Sequence, residues 1–292
     1  MYRYAVSFPN TQAVDPDWQK SIAQAAIRRI EYSCGRFAPE SFKPEVAVLR
    51  EMQARGQVEV ASIHIPFGDA WAIANPDETA RRLAVSMTRE FVAVTRPLGT
   101  VNYTLHGSAE PIAEDARRAY MASLKKSLAE LAPVAEDAGI SLNLENLPRT
   151  CLGRNPEEML EMLADMPEKT FGYCLDVNHF CGFAERCPEI AALLGKRIRA
   201  CHFSDYDGID ECHWYPGLGV LDWQGILDVI RTLPQEIVLI FETFGFLKAP
   251  HDRKVSNAIR LRDAEKCVYW IEHAAELEKA VTAFDAGRTF GA

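Results

Sequence analysis

Residues 140–176 read ISLNLENLPRTCLGRNPEEMLEMLADMPEKTFGYCLD. The stretch opens on a short apolar run that ends in Glu145 and closes on a second that ends in Asp176. Between them Asn155 stands where a helix cap belongs, and Pro156 takes the first helical position of a segment reaching Ala164. The local order is therefore strand, helix, strand. Both runs lack a clean polar alternation, as strands buried on both faces of a parallel sheet do. Each run delivers a carboxylate at its C-terminal end.

The same pattern extends in both directions. Apolar runs of strand length occur at 2–8, 29–33, 60–66, 100–106, 140–145, 171–176, 198–204 and 236–243. The second is the weakest, because Arg29 and Glu31 make it polar. Helical spacing of apolar residues marks 77–95 and 113–138; Asp222 caps a segment to Thr232, and a last helix falls within 262–280. Strand and helix alternating eight times predict an α/β fold of one (β/α)8 TIM barrel. No linker, repeat or low-complexity segment divides the chain, so residues 1–292 are expected to form a single domain with a C-terminal helical extension from about 250.

Bulk composition fits this. The chain has 292 residues, 48% hydrophobic and 25% charged, the ordinary range for a globular enzyme. Asp and Glu outnumber Lys and Arg, 41 to 32, a formal charge of −9. Phosphate backbones are held by basic patches, so no nucleic-acid partner is expected. The eight cysteines form no CxxC pair, and a chain this long needs no disulfide staples; they read as reduced thiols of a cytoplasmic protein. The N-terminus MYRYAVSFPN lacks the form of a signal peptide, and no run of about 20 apolar residues could span a membrane.

The polar residues at the strand ends carry the functional reading. In a barrel the C-terminal strand ends form one ring around the mouth. Here they supply His64, His106, Glu145, Asp176 with His179 just after it, His202 and Glu242; Glu211 and His213 follow in the loop after strand seven. Only His251 and His273 of the seven histidines fall elsewhere. Any one of these histidines reads equally well as a core or loop residue satisfied by a hydrogen bond. Three carboxylates that follow ISLNL, FGYCL and IVLIF are costly to bury unless paired or bound to metal. Glu145, Asp176, His202 and Glu242 are accordingly the expected metal set. Mostly hard oxygen with one imidazole suits manganese first, with magnesium, cobalt or zinc as alternatives.

Asn146, Asn178 and Ser204 could orient those ligands or serve structure alone. Phe67, Trp71, Phe180, Trp214, Tyr215 and Phe244 lie near the same rim, as packing or as an apolar wall for a sugar ring. Gly217 and Gly219 form a lone GxG, weak evidence for a phosphate loop because no third glycine follows at the dinucleotide spacing.

The pieces LENLP at Glu145, LDVNH at Asp176 and HFSDYDG with HWYPGLGVLDW from His202 are the most specific, and with them the chain resembles the xylose-isomerase-like barrel superfamily from the first strand to Glu242. That superfamily includes sugar (phosphate) isomerases and epimerases and the AP endonucleases of the endonuclease IV type. The resemblance to its tagatose/psicose-epimerase branch implies one divalent ion on Glu145, Asp176, His202 and Glu242. It implies the two glutamates as the acid/base pair, abstracting a proton next to a metal-bound carbonyl. It further implies His179 on the substrate, a small carbohydrate, with His64, His106, Glu211 and His213 as further substrate-binding candidates. Barrels of this superfamily often pair, implying a homo-oligomer. The branch's substrate-binding Arg after the strand-seven His has no counterpart; Tyr206–Gly208 stands there.

Resemblance to the endonuclease branch implies instead three zinc ions on nine ligands: His64, His106, Glu145, Asp176, His179, His202, Glu211, His213 and Glu242. Glu211 replaces an Asp there. The acidic charge and the absence of a basic, DNA-intercalating loop set weigh against a DNA substrate. A lyase on 3-keto-glycosides using the same site, or a barrel that binds a sugar without chemistry, completes the readings.

Overall fold

A computed structural model describes residues 2–8, 13–33, 38–243 and 256–272. Its strands are β1 Tyr2–Phe8, β2 Arg29–Ser33, β3 Glu59–His64, β4 Asn102–Leu105, β5 Ser141–Glu145, β6 Phe171–Asp176, β7 Ile198–His202 and β8 Ile237–Phe241. They pair in sequence order, all parallel, and β8 returns to β1, closing the barrel. The closed eight-stranded fold is the one expected. The weak second run is a true strand, with Tyr32 beside Ile63 and Phe8 in the register.

The helices are α1 Pro16–Gln24, α2 Lys43–Ala54, α3 Glu78–Thr95, α4 Arg117–Ala138, α5 Pro156–Leu163, α6 Cys187–Leu194, α7 Trp223–Thr232 and α8 Asn257–Glu272. Side chains of Asp15, Asp77, Asn155 and Asp222 accept from first-turn amides, each satisfying a donor the helix itself cannot. The last helix starts five residues before the expected 262, and its described part ends at Glu272. Cys34, Phe244, His251 and His273 lie outside the described residues. No described helix is long and apolar enough to cross a membrane.

Side chains alternate across each strand. One set packs outward against the helices in the main apolar core, for example Leu142 and Leu144 on β5 and Phe171, Tyr173 and Leu175 on β6. The other set lines the barrel interior, where Ala5, Ala61, Cys174, Ala200, Val238 and Ile240 make a small apolar layer of their own. At the N-terminal mouth Arg3 and Arg29 pair with Glu59, and Arg3 with Glu236. Continuing the inward set one step toward the C-terminal mouth brings Asn143 to Glu145, Cys174 to Asp176, Ala200 to His202 and Ile240 to Glu242. The strand geometry alone therefore puts these four polar side chains on the floor of one cup.

Candidate active site

All nine residues named from the strand ends and the loop after β7 gather at the C-terminal mouth. They fall into three groups whose ligand atoms lie within 4.8 Å of one another: His64 with His106 and Glu145; Glu145 with Asp176, His202 and Glu242; His179 with Glu211 and His213. Glu145 belongs to two groups. Its Oε2 stands 3.1 Å from both His64 Nε2 and His106 Nε2, and its Oε1 3.1 Å from His202 Nδ1. Glu242 Oε2 is also 3.1 Å from His202 Nδ1, and Asp176 Oδ2 is 3.6 Å from it. In the third group Glu211 Oε2 lies 2.9 Å from His179 Nε2 and 3.7 Å from His213 Nε2.

The imidazoles are held like ligands. His64 Nδ1 donates to the Ile65 carbonyl, His179 Nδ1 to that of Asn146 and His213 Nδ1 to that of Glu242, at 2.8, 2.9 and 3.1 Å. Each bond ties down one ring nitrogen and turns the other toward a carboxylate of its group, the arrangement that fixes the tautomer of a metal-binding histidine. His213 takes a left-handed backbone (φ 49°), and its amide and that of Cys212 donate to Asn178 Oδ1. Asn146 clasps the Asp176 backbone through both its amide atoms, at 2.8 Å each. Of the three expected orienting side chains, Asn146 and Asn178 thus hold the site's backbone. Ser204 is buried, and its hydroxyl makes no hydrogen bond among the described residues.

The donor set fits a divalent cation. Asp176 Oδ2 is completely buried and has no hydrogen bond among the described residues, only the longer approaches of His179 Nδ1 at 3.5 Å and His202 Nδ1 at 3.6 Å, an expensive state for a carboxylate oxygen that a cation would relieve. The neighbouring charges also shift the protonation of these groups. Burial opposes the charge on His64, but its bond to Glu145 and the Glu145 and Glu31 charges prevail and raise its pKa to about 9. Burial likewise opposes His179, which Asp176, Glu211 and Glu145 raise to about 10. Glu145 is held well below the carboxylate range against its burial by His202 and His106, and Glu242 by His202 and His213. Asp176 is pushed up by burial. Cys174 lies beneath His202, and burial drives its thiol up to about 12, so it stays protonated and is no thiolate ligand at neutral pH.

The sign of the pH dependence follows. Both histidines have folded-state pKa values above the usual 6.5, so in the metal-free protein their stabilising charge is complete below about 6.5 and is lost as pH rises through about 9 to 10. A cation competes with those protons. Apparent metal affinity is expected to rise by about tenfold per pH unit for each proton displaced between roughly pH 7 and 9. Calorimetric titration in buffers of different ionisation enthalpy measures the release; affinity independent of pH, with no protons released, would contradict the assignment.

The cup opens into a cavity of about 580 Å³, walled by Phe67, Gly68, Ser108, Leu147, Pro148 and Cys151 above the ligand groups. Phe67 stacks on His106, with centroids 4.7 Å apart. Of the other expected rim aromatics, Trp71 packs on Phe91, and Phe180 and Tyr215 are buried in the core; these three are packing residues. Trp214 is half-buried against the same core. Tyr206, the first residue of the Tyr206–Gly208 segment, is buried with its hydroxyl on the Phe180 carbonyl and does not line this cavity.

Two residues went unnoticed in the sequence. Glu31, on the strand that looked weakest, is fully buried below the cup and reaches His202 Nε2. Arg149, in the loop after β5, has a left-handed backbone (φ 54°) and ties that loop to Glu110, Asp210 and Glu211 at 2.9, 2.6 and 2.8 Å. The signal for Glu31 was its inward parity in RIEYS. A loop arginine such as Arg149 carries no comparable signal.

Comparison with known proteins agrees with this architecture. The family profile described as Xylose isomerase-like TIM barrel matches residues 20–263. The uncharacterized protein MJ1311 of Methanocaldococcus jannaschii is 26% identical over 218 residues, 72% of this chain and 73% of that one. Fructoselysine 3-epimerase of Shigella flexneri is 26% identical over 157 residues, 53% of this chain and 56% of the epimerase. The solved structure of a D-tagatose 3-epimerase-like protein superposes with a TM-score of 0.73 at 21% identity, covering 94% of this chain and 99% of that one. With the matched family profile spanning most of its length, and with its closed eight-stranded barrel, this chain belongs to the xylose isomerase-like TIM barrel family.

Proposed function

We propose that the chain is a divalent-metal-dependent isomerase or epimerase of a sugar or sugar derivative. The observation that carries this reading is the placement of Glu145 and Glu242. They reach His202 Nδ1 from β5 and from the end of β8, each at 3.1 Å, and both line the cavity. Both are held below the usual carboxylate range, so each is ionised at neutral pH and able to accept a proton. Glu145, Asp176, His202 and Glu242 would hold the cation, manganese in the first instance, whose chemistry is to polarise a substrate carbonyl and acidify the adjacent C–H. One glutamate takes that proton, and the same or the other returns it. Glu242 is the more accessible, with 18% of its side chain exposed against 1% for Glu145. The walls of Phe67, Leu147 and Pro148 exclude water from the reacting carbon, and His64, His106, His179, Glu211 and His213 offer polar contacts to hydroxyls. The similarity to fructoselysine 3-epimerase of Shigella flexneri and to a D-tagatose 3-epimerase-like protein supports the same class.

A second reading is favoured by the two further ligand groups. His64–His106–Glu145 and His179–Glu211–His213 each have the make-up of a cation site, which a one-metal epimerase does not need. They suit a three-zinc phosphodiester hydrolase, in which paired cations clamp the attacking and leaving oxygens.

Metal content decides between the two. About one tightly held ion per chain, with solvent deuterium entering a keto-sugar, its phosphate or a 3-keto-glycoside in D2O with Mn²⁺, is the expected result. Three zinc ions with hydrolysis of a phosphodiester or nicking of abasic DNA would replace the first reading by the second. Full metal binding without either activity would leave a sugar-binding barrel.

A further inference from the structure

Glu31 has no part in the chemistry above, yet it is a carboxylate with 0% exposure inside the barrel. Its neighbours satisfy one of its two oxygens: Oε2 is hydrogen-bonded, while Oε1 is buried with no hydrogen bond among the described residues and only the ionic approach of His202. Ser62 Oγ on β3 donates to Glu31 Oε2 at 2.9 Å, and Thr104 Oγ1 on β4 approaches the same oxygen at 3.4 Å. His202 Nε2 on β7 stands 3.2 Å from Oε1 and 3.3 Å from Oε2. β2 and β7 are not neighbours in the sheet, so this contact crosses the barrel interior. The opposite ring nitrogen, His202 Nδ1, is the atom that Glu145, Asp176 and Glu242 surround.

We infer that Glu31 is a positioning residue for His202: by accepting the Nε2–H it holds the imidazole with Nδ1 aimed between the three carboxylates, so that Nδ1 becomes the ligand atom when a cation displaces its proton. This rests on the reading of His202 as a metal ligand. The comparison within the site makes the inference specific. His64, His179 and His213 are tied by backbone carbonyls, which no side-chain substitution removes, whereas the anchor of His202 is a charged side chain. A carboxylate behind a ligating imidazole also raises its basicity toward the cation. Replacement by glutamine tests both effects without changing shape. An amide can turn its NH2 toward Nε2, which then accepts, and the ring proton moves to Nδ1, where it blocks the ligand atom.

The experiment is metal titration by calorimetry of the full chain and of Glu31→Gln, with zinc as the diamagnetic probe, together with 15N NMR of the His202 ring. The expected result for Glu31→Gln is a roughly 10–100-fold loss of zinc affinity at the His202 site, loss of the slowly exchanging Nε2–H resonance, and a melting temperature of the metal-free protein within a few degrees of the parent. If Glu31→Gln does not fold, the pair Ser62→Ala and Thr104→Ala, which loosens Glu31 without touching His202, is expected to weaken zinc binding in the same direction. Unchanged affinity and an unchanged Nε2–H signal in the folded variant would overturn the inference. His202→Ala separates this from the underlying reading: if that variant binds zinc as the parent does, His202 is no ligand; if it fails to bind while Glu31→Gln binds normally, only the role of Glu31 falls.

Discussion

Glu145→Gln is expected to lower turnover by about 10²–10⁴-fold and, unlike Glu242→Gln, to disturb two of the three ligand groups at once. The reason is its dual membership. Oε1 serves His202 and Oε2 serves His64 and His106, so one residue links the His64 side of the cup to its floor. A neutral amide offers one acceptor where the carboxylate offers two and places an N–H against a ring nitrogen. Glu242 belongs to one group only, and its replacement leaves His64–His106–Glu145 and His179–Glu211–His213 complete. The two variants therefore differ in how far the metal loss reaches. Both variants should reduce turnover and weaken the ion held with Asp176 and His202, and Glu145→Gln should weaken it more because it also unseats His64 and His106. Metal analysis of dialysed protein beside rate measurement checks this. Equal metal content in the two variants would show that Glu145 is no shared ligand, and wild-type turnover in both would remove the acid/base assignment.

That asymmetry between two glutamates was invisible in the sequence, though the residues themselves were not. Glu145, Asp176 and Glu242 each stand at the end of an apolar run, and a carboxylate there has to be explained by something buried beside it. The barrel was legible for a similar reason: parallel strands covered by helices must be apolar on both faces, and that pattern survives in the one-letter code. Division of the nine candidate residues into three groups depends instead on which strand ends face which across the mouth, and on the loop after β7 folding back to bring Glu211 to His179. Neither follows from spacing. Glu31 failed to stand out because Arg29 and Glu31 made their strand look exposed, when in fact Arg29 pairs with Glu59 at one end of the barrel interior and Glu31 with His202 farther along it. A charged residue at an inward position of a barrel strand is evidence about the lumen, and hydropathy alone reads it as noise. The last helix was placed too late because its cap, Ser256, was passed over: the Ser256 hydroxyl accepts from the Ile259 amide and starts the helix at Asn257.

The Gly217–Gly219 pair, weak as a phosphate motif, has a structural explanation, and it leads to the largest expected stability effect. Asp205 is completely buried and accepts from the amides of Tyr206, Gly217 and Leu221 and from Trp223 Nε1, at 2.9, 2.9, 3.3 and 2.7 Å. Its backbone pairs with Trp214 in both directions. One carboxylate thus organises the loop that presents Glu211 and His213. A Cβ on Gly219 would lie well inside 3.0 Å of the Tyr206 carbonyl and of Asp205 Oδ1, so only glycine allows that approach. Asp205→Ala leaves four donors without their acceptor at about 1–3 kcal/mol each. Water entering a rearranged loop recovers part of this, so a net loss of about 4 kcal/mol or more is expected. At roughly 2–4 °C per kcal/mol the melting temperature should fall by about 10 °C. Gly219→Ala should act more locally, displacing the loop and weakening the His179–Glu211–His213 group while His64–His106–Glu145 keeps its geometry, because no member of that group lies on the loop. Thermal melts with and without zinc measure both effects. A Gly219→Ala protein with parent stability and all its cation binding would show that the loop's approach to Asp205 is not what holds Glu211 and His213 in place.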